Sequence, residues 1–116
     1  MSKFISLSEA KKMISLYQNE QENILKDGFQ NKQILATSEL IDKEKLEKIL
    51  KIPGCNNIRI YYGMDSTLKI HSILVAVDEK GQDIILQTEN NYQNEEDILN
   101  DSVRCPPFCN TSPLTP

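Results

Sequence analysis

The sequence predicts an α+β fold in which two N-terminal helices pack on a three- to four-stranded antiparallel meander, followed by an extended Cys/Pro-rich C-terminal tail. Three observations carry this expectation. Apolar residues recur at three- and four-residue steps in the N-terminal half. From position 57 the apolar residues alternate at two-residue steps, the period of a strand with one wet face. The chain then closes on RCPPFCNTSPLTP, which holds two of its three cysteines and all but one of its prolines.

Residues 7–26 are expected to form one amphipathic helix, with Ala10, Met13, Ile14, Tyr17, Ile24 and Leu25 on its apolar stripe and Gln21 the one break. Ser6 followed by Glu9 has the spacing of a capping box. Gly28 is the expected left-handed stop, placing the helix end near Lys26 or Asp27. After a polar connector, 33–37 reads as a short extended piece. Asp42 then caps a second helix over 43–51, whose apolar edge is Leu46, Ile49 and Leu50 and which Pro53 and Gly54 close.

Three strands are expected next, over 57–62 (NIRIYY), 68–77 and 84–88, the last after the turn DEKG, where Gly81 takes a positive φ. Placing Tyr62 opposite Leu68, Ile60 opposite Ile70 and Ile58 opposite Ser72 gathers the apolar set on one face and leaves GMDST as the loop. A one-residue slip would set Ile60 opposite Lys69. The run SILVAV, 72–77, is apolar on both parities, as in a middle strand buried on both faces. Two helices can cover one face and part of the other, so either they straddle the sheet or the second face is covered by the tail or by another copy, which makes Ile73, Val75 and Val77 candidates for contact with a partner or a second copy. The organisation expected is one domain over 1–88, a polar and acidic linker over 89–103, and the tail over 104–116.

Composition restricts the function. The chain of 116 residues, with a formal charge of -4 and a pI near 5.0, carries no basic stripe for phosphate backbones. No apolar h-region follows the first charge, and no uninterrupted apolar run approaches a membrane span. The expectation is a cytoplasmic protein that binds neither nucleic acid nor membrane. An odd count of three cysteines fits a reducing compartment better than a disulfide framework.

Two readings stand for Cys105 and Cys109. As a functional pair they are thiolates held by prolines, with Arg104 lowering the pKa of Cys105, able to grip a soft metal such as zinc or to cycle as a dithiol. As a structural element, 104–109 is a polyproline-like strap with reduced cysteines packed as small apolar groups. The spacing is not C-x-x-C, and the strap is the preferred reading. Cys55 is the candidate third metal ligand. In the register above Cys55 lies opposite Val75, about 13 Å along the strand from His71 at about 3.3 Å per residue, too far to share one zinc unless the chain bends at 54–56.

His71 is expected beside Arg59, Tyr61 and Lys69, with no carboxylate to orient its ring, which argues against a triad. Glycine-rich phosphate loops and helical zinc pairs are missing from the sequence, and the acids of 89–101 lack the glycine of a calcium loop. Tyr61, Tyr62 and Met64 at the first hairpin, and Phe108 in the tail, are candidate recognition residues, with Tyr62 equally placed to close the core.

The order IRIYYGMD, SILVAVDEKGQDI, RCPPFC and SPL resembles a group of short uncharacterised (hypothetical) bacterial proteins. That group pairs a P-G-C turn and a Y-Y-G-M strand end with a final R-C-P-P-x-C and S-P-L. The likeness runs from the first helix to the last residues, and the terminal motif is its most specific part. It implies one shared fold and a tail that is a defined element, and it brings no activity, cofactor or catalytic residue. The expected function is a non-enzymatic protein-binding or assembly module, self-associating through the central strand or the edge strands beside it. The alternative is a small thiol-redox or metal-handling protein built on C-P-P-F-C.

Overall fold

The structure, a computed structural model, describes residues 3–86, 98–100 and 102–114. It has the α+β character expected, with two α-helices and antiparallel strands. The chain divides into two compact units rather than one domain and a tail: Met1–Ser38 with Arg104–Pro116, and Glu39–Val103. Most of the expected acidic linker falls on 89–97, outside the described residues.

In the first unit, α1 (Leu7–Glu20) starts where the capping signal places it, with the Ser6 hydroxyl accepting the Glu9 amide at 3.1 Å. It stops six residues before Lys26. The Asn23 side chain turns back to donate to Asn19 O and to the Glu20 carboxylate, a local competitor of the helical ladder. Glu22 Oε1 accepts the Asn31 amide at 2.5 Å, and Gln30 Nε2 donates to Leu25 O at 3.1 Å, so the chain folds back on itself. Gly28 is not the left-handed stop. It sits in a 3-10 turn (Asp27–Phe29), and the positive φ values fall on Asn31 (61°) and Gln33 (58°). Met13 and Ile24, expected on the buried stripe, are exposed. Tyr17 anchors the unit by donating its hydroxyl to Ala36 O at 2.6 Å.

The second unit holds α2 (Lys43–Leu50), capped by Asp42, whose carboxylate accepts the Lys45 amide at 3.2 Å. The turn after it closes at Gly54, with φ +85° as a glycine allows. Extended chain begins with β1 (Ser38–Ile41) instead of 33–37. β1 pairs with β5 (Ser102–Cys105) in a two-stranded sheet.

The main sheet has the order β2 (Asn57–Met64), β3 (Ile70–Val77), β4 (Ile98–Leu99), all antiparallel. SILVAV is the middle strand, and Leu74, Val75, Ala76 and Val77 are all buried. Among the described residues the third strand is β4; 84–86 are not part of a strand, and 87–88 of the expected strand lie outside the described residues. Ile84 runs beside β3, donating its amide to Ala76 O, and Gly81 takes its positive φ in the DEKG turn. The β2–β3 register differs from the expected one by four residues: Tyr62 faces Ser72, Ile60 faces Leu74, and Ile58 faces Ala76. An even shift keeps each side chain on its face, so the apolar row survives while the loop moves to 65–69. On the even-numbered face, Ile49 and Ile52 pack with Leu74, Ala76 and Leu99 as the core.

Candidate interaction surface

The core covers only one end of the even-numbered face. Ile58 packs against it, whereas further along the same row Ile60 is 50% exposed, Tyr62 80% and Met64 60%. Burying such side chains would be favourable by about 25 cal/mol per Å² of apolar surface.

The backbone of β2 adds a second feature. Asp65 N donates to Lys69 O at 3.0 Å, while on β3 Ser72 N and Ala76 O turn away from β2, to the Glu39 carboxylate and to Ile84 N. Odd-numbered residues therefore carry the β2–β3 hydrogen bonds, because amide and carbonyl directions alternate along a strand. The amides and carbonyls of Ile58, Ile60, Tyr62 and Met64 point the other way, and β2 has no strand neighbour there among the described residues. The far edge of the sheet is treated differently. β4 is two residues long, and beyond it the Glu39 carboxylate accepts both the amide and the hydroxyl of Ser72.

The odd-numbered face is closed by polar bonds over apolar residues. Arg59 Nη1 meets Asp83 Oδ1 at 2.5 Å, Arg59 Nη2 donates to Gly81 O at 3.2 Å, and the Tyr61 hydroxyl donates to Asp83 Oδ2. Arg59 faces Val75 and Asp83 bridges to Val77, so this network crosses the two valines. The hydrogen bond with Tyr61 and then the charge of Asp83 hold Arg59 above its ordinary pKa. Val75 and Val77 are each 3% exposed, so they belong to the interior of this chain and not to its outer surface. Ile73 is half-buried, with its side chain beside Gly63.

His71 does have a carboxylate partner. Its Nε2 lies 2.6 Å from Asp65 Oδ2. The four-residue difference in register puts Gly63 opposite His71 and brings Asp65 round the loop. Asp65 Oδ1 accepts from Thr67 N, Thr67 Oγ1 and Lys69 N. The Thr67 hydroxyl first, then His71, lower the Asp65 pKa well below its ordinary value. The pair is a loop clasp with its carboxylate fully engaged.

In the tail, Cys105 and Cys109 are joined as a disulfide, with Cα atoms 4.7 Å apart, in place of the reduced pair expected. The strap is a closed turn, with Phe108 N donating to Arg104 O at 3.1 Å. Arg104 is buried, and its Nη2 donates to Gln33 O and Ile34 O, each at 2.9 Å. With the sulfurs bonded there is no thiolate for it to stabilise. Cys55 is the free cysteine, half-buried and donating to Asn57 O at 3.5 Å. It lines an open groove of about 510 Å³ with Gly54, Asn56, Asp78, Glu79 and Lys80. The Asp78 carboxylate is engaged by the Lys80 and Gln82 amides. Among the described residues no three His, Cys, Asp or Glu side chains group to hold a metal ion. Phe108 is exposed.

The sequence pattern pointed to Tyr61, Tyr62 and Met64 but not to Ile60, the Glu39 edge contact or Asp65. D-S-T carries the signal of an Asx turn, in which a short carboxylate holds amides ahead of it. Nothing in the local sequence signals Glu39, which acts 33 residues away. Among the described residues, no helix is long and apolar enough to cross a membrane. Compared with protein-family models, curated proteins and solved structures, the chain matches none.

Proposed function

We propose that this chain is a non-enzymatic protein-binding or assembly module whose contact surface is the outer half of the β2–β3 hairpin. The observation that carries the reading is the row Ile60, Tyr62 and Met64, each at least half exposed on a face whose other end is packed core. An aromatic and a methionine beside a β-branched residue give a large contact area at modest entropic cost. The bacterial setting and the kinship with the short R-C-P-P-x-C proteins belong to the same proposal and rest on the sequence motifs, and the cytoplasmic setting on the lack of a long apolar run in the sequence and its odd cysteine count. The test compares the wild-type chain with an Ile60→Ser, Tyr62→Ser, Met64→Ser variant, each cross-linked in its own cells. Specific protein adducts on the wild type that vanish from the folded variant support the reading; identical adduct patterns overturn it.

One observation favours a second reading, thiol–disulfide exchange. Cys105 is almost wholly buried, whereas Cys109 lies at an exposed position. An external thiolate would attack Cys109 sulfur and release Cys105 as the thiolate. On this reading, replacing both by serine abolishes disulfide exchange with a dithiol and leaves the binding adducts unchanged.

A further inference from the structure

The occupant of the β2 edge, unpaired among the described residues, follows from its pattern of donors, acceptors and side chains. We infer that β2 pairs antiparallel with β2 of a second copy, Ile60 of one chain opposite Tyr62 of the other, so that two three-stranded sheets join into one of six strands. The inference rests on the binding reading above and names its partner.

An exposed edge strand is a template for another strand, and proteins blunt edges with proline, lysine, bulges or a covering group. The β3 edge beyond β4 is blunted by the Glu39 carboxylate on Ser72. β2 runs for eight residues with neither proline nor lysine, and its only charge, Arg59, is already bonded to Asp83. The outward groups belong to even-numbered residues, so a symmetric partner must pair even with even. Centring the two-fold axis at Tyr61 sets Ile58 against Met64, Ile60 against Tyr62, and the reverse. Every outward amide and carbonyl of the four residues is then used, and every cross-strand pair on that face is apolar.

Charge supports the same register. On the other face Arg59 comes opposite Gly63 of the second copy, and Tyr61 opposite Tyr61. A shift of four along the strand sets Arg59 against Arg59, two like charges directly opposed. The row left exposed in one chain thereby becomes a continuous strip of eight apolar side chains.

The experiment is sedimentation velocity over a concentration series. The wild-type chain is expected to be a dimer. Ile60→Pro removes one outward donor per copy without touching the β2–β3 ladder, and should weaken the dimer by roughly 30-fold or more. Ile60→Lys and Tyr62→Glu keep the backbone intact. Each alone should dissociate, and a mixture of the two should reassociate through the lysine–glutamate pair that only this register creates. Failure of the mixture to reassociate overturns the register, and single variants as dimeric as wild type place the interface elsewhere. A wild-type chain that stays monomeric while the triple-serine comparison still separates bound from unbound protein overturns the second copy alone and leaves the binding reading standing.

Discussion

A side chain at position 63 has no room: a Cβ built there would lie 2.8 Å from Cδ1 of Ile73. The glycine of Y-Y-G-M is therefore a packing feature, letting the half-buried Ile73 lean across β2. Because the opposing atom is the tip of a flexible side chain, Gly63→Ala should cost about 1 kcal/mol, the low end for overpacking. Urea denaturation checks this, and combining the change with Ile73→Val, which removes the colliding methyl, should recover most of the loss. Equal penalties in both backgrounds would mean that backbone conformation, not packing, sets the requirement. The sequence marks Gly63 only as a weak point in a strand; which residue fills its space is decided by register.

At the scale of the element, the hairpin shows what alternation does and does not specify. The two-residue period over 57–62 assigns Ile58, Ile60 and Tyr62 to one face of β2, and the structure keeps them there and adds Met64, expected in the loop, to the same row. It leaves registers that differ by an even number of residues equivalent, and the expected pairing was displaced by four. The loop selects among them: Asp65 gathers the amides of Thr67 and Lys69 and reaches His71, so the turn closes after Met64. A pH dependence follows. The folded-state pKa of Asp65 is depressed from its ordinary value of 3.8. Its contribution is therefore fully present above the unfolded pKa and is lost as pH falls through the folded one. The urea midpoint of the wild-type chain should drop below about pH 5. In Asp65→Asn that drop should be shallower, with a lower plateau at neutral pH. Parallel profiles would remove Asp65 from the clasp.

At the scale of the whole molecule, the tail joins 33–37 rather than ending the chain loosely. Thr37 N donates to Cys105 O at 2.7 Å, and Arg104 holds the carbonyls of Gln33 and Ile34. Replacing Cys105 and Cys109 by serine opens a very short loop, worth about 2 kcal/mol in the chain-entropy account of cross-links. Hydrogen exchange should show the loss at the Thr37 amide, while the amides shared by β2 and β3 keep their protection. Uniform loss across both would show that the two units unfold as one.

The sequence by itself determined the two helices and the first hairpin, the Ser6 and Asp42 caps, the glycine turns at Gly54 and Gly81, the doubly buried middle strand and the shared face of Ile58, Ile60 and Tyr62. These depend on propensity, capping chemistry and periodicity, all of which act within a few residues. Only the tertiary structure decided the register, the arrival of β4 at the β3 edge, the Glu39 contact with Ser72, the burial of Val75 and Val77 under Arg59 and Asp83, and the joining of Cys105 to Cys109. Each of these pairs groups whose meeting depends on how the chain closes, and closure is governed by the sum of packing and hydrogen bonding over the whole unit rather than by any local pattern.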